Sequence, residues 1–87
     1  MVAPQFPSSG WSIDYEAAFT RFISNPARLP YAGAVSDWIV SCRLIGPPAD
    51  GLDTGDDFYL ARVLDTPVVA EYLVIAFEFL IVCREFR

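Results

Sequence analysis

The side chains in this chain that could do chemistry are carboxylates, arginines and two cysteines. Its 87 residues include 11 acidic residues and 6 arginines, but no histidine and no lysine. Histidine is the commonest general base near neutral pH and the commonest metal ligand, so a serine or cysteine nucleophile would lack its usual partner. Cys42 and Cys83 are too far apart in the chain for a Cys-x-x-Cys motif, and both lie in apolar stretches. We therefore expect no catalytic residue, no cofactor and no metal, and an enzyme is the less favoured interpretation.

An aspartate-rich stretch over residues 46–57 is the best candidate for a cation site, because hard cations prefer several carboxylate ligands. The spacing does not fit an EF-hand. A loop starting at Asp50 needs an oxygen ligand at its third position, where Leu52 stands, and a glutamate at its twelfth, where Ala61 stands. A solvated loop is the favoured interpretation.

Three arginines stand in or directly after apolar segments: Arg62, Arg84 and Arg87. In the favoured interpretation Arg84 pairs with Glu71, and Arg62 lays its stem over apolar surface at a sheet edge. In the alternative, arginines on one sheet face bind the carboxylates or phosphate of a partner. Trp11 and Tyr59 are candidate interface anchors, whereas Trp38 is expected in the core. The candidate binding residues are therefore Trp11, Tyr59, Arg62, Arg84 and Arg87.

The pattern of apolar residues predicts two helices ahead of the segments that hold these arginines. Residues 11–14 alternate as a short strand, and an apolar stripe over residues 15–23 predicts a helix that Asn25-Pro26 ends. Pro30 suits the first turn of a second helix. Its stripe consists of Tyr31, Val35, Trp38, Cys42 and Ile45. Gly46 and the two prolines after it end this helix.

The C-terminal segment is the hardest to interpret. Residues 58–64 predict a strand, residues 65–67 a turn, and residues 68–87 contain no Gly, Pro, Asn or Asp. The abundance of Val, Ile, Tyr and Phe favours a hairpin of 68–76 and 79–86 over one long helix. Its predicted register pairs Ile75 with Leu80, Leu73 with Val82 and Glu71 with Arg84. The predicted fold is α+β: a short strand, two helices, then a three-stranded antiparallel sheet. The alternative is an all-α fold with a long C-terminal helix.

The totals fit one domain at 11–87 after an irregular lead-in at 1–10. The apolar content of 54% is large for so short a chain, so some apolar surface should remain exposed for a partner or for a homodimer. The net charge of −5 disfavours direct DNA binding. No segment reads as a secretory signal or has enough uninterrupted apolar residues to span a membrane, so we expect a cytoplasmic protein.

From Phe58 onwards the chain contains the segments FYLARV, VAEYLVIAF and LIVCREFR. They predict a strand that holds an arginine, a turn, an apolar strand that holds a tyrosine, and a final strand that ends in basic residues. With the element order, this pattern resembles the RelE/ParE superfamily of toxin–antitoxin toxins. The resemblance implies either messenger-RNA cleavage by basic residues or, as in the gyrase poisons, action by binding. Only Arg62, and more loosely Arg84, match a family arginine position, and the chain is acidic. No catalytic residue is carried over, and binding is the expected activity.

Two function hypotheses follow from the sequence. The leading one is a small protein-interaction module that resembles a RelE/ParE-type toxin and binds a protein partner, an antitoxin or a target enzyme, without cleaving RNA. The alternative is an acidic inhibitor or decoy, of phage or immunity type, that blocks a basic enzyme surface. Acidic charge and small size favour this second hypothesis.

Overall fold

The computed structural model describes residues 10–87, so most of the expected lead-in lies outside the described residues. The elements are β1 (Ser12–Asp14), α1 (Glu16–Ile23), a 3₁₀ turn (Leu29–Tyr31), α2 (Ala32–Ile45), β2 (Leu52–Asp53), β3 (Phe58–Arg62), β4 (Val69–Ile75), a second 3₁₀ turn (Ala76–Glu78) and β5 (Leu80–Phe86). The fold is α+β, which confirms the predicted class.

One mixed sheet of five strands forms in the order β1-β5-β4-β3-β2. Strands β2 to β5 pair antiparallel in sequence order, and β1 pairs parallel to β5. The three consecutive antiparallel strands were predicted. Two features of the sheet were not predicted: β1 joins it, and Leu52–Asp53 forms a fifth strand within the predicted loop 46–57.

The helices form where the stripes predicted them. Helix α1 buries Ala18 and Phe22 and ends at Ile23. Helix α2 ends at Ile45 and is capped by Gly46, whose φ of 89° favours glycine and whose missing side chain leaves room for the Trp11 indole. One predicted stripe residue was wrong: Ile45, in the last turn, is exposed, and Ile39 is buried instead.

The C-terminal hairpin forms, and the long-helix alternative is wrong. Ile75 pairs with Leu80 and Leu73 with Val82, as predicted. A β-bulge then places Glu85 opposite Glu71, so the predicted Glu71–Arg84 backbone pair is not formed. A bulge adds one unpaired residue to a strand, which here is Arg84. The chain turns through the 3₁₀ turn Ala76–Glu78, and Phe79 follows in a left-handed conformation.

The core lies between the helices and one face of the sheet. It is built around buried apolar residues of both layers, among them Phe22, Val35, Ile39, Tyr72 and Ile81. Cys42 and Cys83, which lie in apolar stretches of the sequence, are buried in it as free thiols. Trp38 packs against this core, with Tyr72 and Phe86 beside its ring.

Candidate functional site

The face of the sheet opposite the helices is the candidate site. Side chains alternate between the two faces of a strand, and the helix-facing positions are those buried in the core. The remaining positions form what we call the open face: Phe58, Leu60, Arg62, Val69, Glu71, Leu73, Ile75, Leu80, Val82 and Arg84. Within residues 10–87 no helix covers this face.

The open face is unusual because it is apolar. An antiparallel sheet with one face on the core normally shows polar side chains on its other face. Here Phe58, Leu60, Leu73, Leu80 and Val82 are apolar and only partly buried, with no layer above them in the described part of the chain. Contiguous apolar surface of this kind is typical of an interaction site.

A charged cluster occupies one end of the open face. Glu71 is buried, with its side chain 10% exposed, and each of its oxygens meets a different arginine. Oε1 lies 3.4 Å from Arg84 Nε, and Oε2 lies 3.1 Å from Arg87 Nη2. The contact with Arg84 is an ion pair rather than a well-formed hydrogen bond, because Glu71 Oε1 has no hydrogen-bond partner among residues 10–87. The cluster therefore holds a buried carboxylate beneath two arginines whose own side chains are about half exposed.

Arg84 lies across the open face from β5 towards β3. Its guanidinium carbon is 4.5 Å from the centre of the Phe58 ring, two strands away, which is a cation–π contact. Its Nε is used by Glu71, whereas its two terminal nitrogens make no hydrogen bond or ion pair within the described residues. A guanidinium held in this way presents a fork that suits a carboxylate or phosphate.

The structure brings three of the five predicted binding residues to this end of the sheet. Arg84 and Arg87 share Glu71, and Arg87 pairs with Val69 through two backbone hydrogen bonds of 2.8 and 2.9 Å. Arg62 is exposed, opposite Val69 on β3. The charged end therefore presents three arginines, with Glu71 and the exposed Glu85 as counter-charges.

The other two predicted binding residues lie elsewhere. Tyr59 points to the helix side, where its ring stacks on Tyr72 at 5.8 Å. Trp11 packs edge-on against Phe79 at 5.3 Å and beside Gly46, at the start of the sheet. Both are partly buried. These contacts place them outside the open face.

The turn between β4 and β5 was predicted between residues 76 and 79, but its apolar side chains were not among the predicted binding residues. Phe77 is 85% exposed, the most exposed large apolar side chain among the described residues, and Phe79 is 44% exposed. The turn follows Ile75 and precedes Leu80, so it extends the apolar end of the open face. The signal was available: an exposed turn that holds two phenylalanines and no Gly, Asn or Asp departs from ordinary turn chemistry.

Other side chains that could do chemistry lie outside the open face. A cleft of about 520 Å³ between α2 and the β3–β4 turn is lined by Trp38, Ser41, Asp37, Asp65 and neighbouring residues. Burial raises the pKa of the Cys42 thiol and of the Cys83 thiol to about 12, so neither is an activated nucleophile. No group of three metal-ligating side chains occurs within residues 10–87.

No helix among residues 10–87 is long and apolar enough to cross a membrane. Comparison with protein-family models, with curated proteins and with solved structures gives no match. The geometry of the open face therefore carries the functional argument.

Proposed function

We propose that this chain is a small protein-interaction module that docks on another protein through the open face. The observation that carries the proposal is the apolar character of this face, which no helix covers within residues 10–87. Burial of apolar area is the dominant favourable term in most protein association. Phe58, Leu73 and Val82 stand side by side on three neighbouring strands and form its centre.

We further propose that the module resembles a RelE/ParE-type toxin that acts in the cytoplasm by binding rather than by RNA cleavage. The element order, a short strand, two helices and then antiparallel strands, supports this proposal. The absence of histidine and lysine argues against an RNA-cleaving site built on those residues. The partner would then be an antitoxin or a target enzyme.

Induced expression in bacteria tests the proposal, alone and together with the product of any adjacent small reading frame. We expect impaired growth, relief by the adjacent product, and co-purification of the two proteins. Leu73→Asp on the open face should abolish both effects. The matched control is Val40→Asp, which changes an exposed apolar residue of α2 and should leave both effects intact. Unchanged growth and no co-purifying protein would contradict the proposal.

A second candidate function is supported by the acidic hairpin around β2. Asp50, Asp53, Asp56 and Asp57 are all exposed, so this hairpin presents negative charge to solvent. Such a surface would suit a decoy that blocks a basic enzyme. Capture of a basic enzyme by this chain tests the decoy. Capture that is lost between 50 and about 300 mM salt, and that is also lost when these aspartates are replaced by asparagine, would favour it. Capture that survives salt but is lost in Leu73→Asp favours docking through the open face.

A further inference from the structure

We infer that the occupant of the open face is an amphipathic helix whose apolar stripe ends in an acidic residue, with that carboxylate seated on Arg84. This inference rests on the proposed function, since it names the chemistry of the partner at the same surface. It is carried by three observations: the size of the open face, its division into an apolar and a charged end, and the unpaired fork of Arg84.

The size of the open face matches one helix. β4 runs through its centre with seven residues, which corresponds to about 20 Å at 3.3 Å per residue. β3, β4 and β5 together span about 10 Å between their outer axes. A helix is about 10 Å wide and rises 1.5 Å per residue, so about 13 residues would cover the face along its length. Such a helix would complete a second helical layer on the sheet.

The sheet edges offer less to a partner than the open face. β1 has 3 residues and β2 has 2, so a strand added at either edge would gain few backbone hydrogen bonds. Where β5 extends beyond β1, the Arg21 guanidinium donates a hydrogen bond of 2.6 Å to the Arg84 carbonyl oxygen. These edges favour docking on the face over addition of a strand.

The charge distribution on the open face sets the direction in which the helix lies along it. Leu73, Ile75, Leu80 and Val82 form the apolar end, whereas Arg62, Arg84 and Arg87 stand at the other end. The terminal nitrogens of Arg84 have no partner within residues 10–87, and Phe58 holds the group in place. A carboxylate there would make a charge-assisted contact that a neutral side chain cannot.

A second copy of the chain fits this face less well. A two-fold pairing of open faces either sets the arginines of one copy against those of the other or sets them on the partner's apolar end. The first brings like charges together, and the second covers the arginines, with Glu71 and Glu85, by apolar surface and so removes charged groups from water.

The test uses the full chain labelled with ¹⁵N and three synthetic helical peptides of 18 residues. The peptides share one apolar stripe and differ at a single position at its end, which is Glu, Gln or Lys. We expect all three to shift amide signals of Leu60, Leu73 and Val82. We expect the Glu peptide to bind about tenfold more tightly than the Gln peptide, and the Lys peptide to bind most weakly. This order should flatten as salt rises.

Two variants separate this inference from the proposed function. Arg84→Gln should remove the preference for Glu over Gln, while Arg43→Gln on α2 should retain it. Leu73→Asp, with the milder Leu73→Gln in case the first is poorly folded, should weaken all three peptides equally. Equal binding of all three peptides to the native chain would overturn the inference that the partner carries an acidic residue. The proposal that the open face is a docking surface would still stand.

Other occupants would show in the same experiments. A dimer in sedimentation that Leu73→Asp dissociates would identify a second copy and overturn the inference. A free peptide of residues 1–9 that shifts the same amides would identify the chain's own N-terminal segment and overturn it as well. If the peptides shift no open-face amide, the inference that the occupant is a helix is overturned. The growth assay then still tests the docking function on its own.

Discussion

At the residue scale, Tyr72 combines deep burial with an unsatisfied polar atom. It has the largest of the fully buried side chains, and its hydroxyl has no hydrogen-bond partner among residues 10–87. Burial, with smaller contributions from neighbouring acidic groups that include Cys42 and Asp50, raises the pKa of Tyr72 to about 12. Its ring packs against Tyr59 and Trp38. The ring therefore stabilises the core, whereas the hydroxyl contributes little to stability.

Removing that hydroxyl should be harmless. We predict that Tyr72→Phe leaves the free energy of unfolding unchanged or raises it by about 1 kcal/mol, because it deletes a buried polar group that lacks a partner. Urea denaturation at pH 7 measures this. A loss of more than about 2 kcal/mol would mean that the hydroxyl is hydrogen-bonded in solution.

The Tyr72 hydroxyl lies so close to Gly51 that position 51 has no room for a side chain. A Cβ at position 51 would overlap the Tyr72 oxygen, so one of the two must move. We predict that Gly51→Ala destabilises the protein by about 1–3 kcal/mol, measured by thermal denaturation. The matched control is Gly33→Ala, at a glycine of α2 with open space around it and no positive φ, which should not destabilise the protein. Combining Gly51→Ala with Tyr72→Phe should recover part of the loss. The clash account fails if no part is recovered.

At the element scale, the C-terminal hairpin shows how far the sequence predicts this fold. The apolar pairs Ile75–Leu80 and Leu73–Val82 were predicted from alternation and are present. The predicted attraction between Glu71 and Arg84 is also present, at 3.4 Å, although the β-bulge puts Glu85 opposite Glu71. The side-chain contact survives because an arginine is long enough to reach diagonally across the bulge. A bulge of this kind leaves no signal in apolar alternation.

Other features depend on contacts between distant parts of the chain. The two residues of β2 are surrounded by Gly, Pro and Asp, so no local pattern marks them as a strand. The parallel pairing of β1 with β5 joins segments about 70 residues apart. β4 is apolar on both faces, with Ala70, Tyr72 and Val74 on one and Val69, Leu73 and Ile75 on the other, apart from Glu71. Its sequence therefore could not tell which face the helices would leave open.

The ion pairs around Glu71 should stabilise the hairpin. We predict that Glu71→Ala lowers the free energy of unfolding by about 1 kcal/mol, because it removes the counter-charge of Arg84 and Arg87. The loss is small because the side chains of both arginines are exposed to solvent. Chemical denaturation at low salt measures it. Glu78→Ala on the exposed β4–β5 turn is the matched control and should change stability little. Equal effects of the two changes would contradict a structural role for the ion pairs.

At the scale of the whole molecule, buried ionisable groups make the fold sensitive to alkali. Burial raises the pKa of Cys42 and Cys83 from 9.0 to about 12, and that of Tyr72 from 10.0 to about 12. Each folded pKa lies above the unfolded one, so the folded state favours the neutral form. This stabilisation is complete below about pH 9 and is lost progressively as the pH rises towards 12.

We therefore predict that the melting temperature is steady from pH 7 to about pH 9 and falls steeply above it. Thermal denaturation followed by circular dichroism measures this. Tyr72→Phe should make the fall shallower above about pH 10, because one of the three groups no longer ionises. A melting temperature that stays constant to pH 11 would contradict the burial of these groups.

The whole molecule has one helical layer, one sheet and an apolar sheet face without a cover in the described part of the chain. Its arginines Arg62, Arg84 and Arg87 stand at one end of that face, and exposed aspartates lie in the β2–β3 hairpin. A small acidic protein would keep an apolar face of this size only at a cost in solubility. The docking on another protein that we propose would account for such a face.

We propose that the open face is the surface that binds a partner protein. Two-dimensional ¹H–¹⁵N NMR spectra of the labelled chain, recorded with and without the protein that co-purifies with it, locate the binding surface residue by residue. We expect the amide signals of Leu60, Leu73 and Val82 to shift or broaden, while those of Val40 and Leu44 on α2 stay in place. Shifts confined to α2 or to the acidic hairpin, with an unchanged open face, would contradict it.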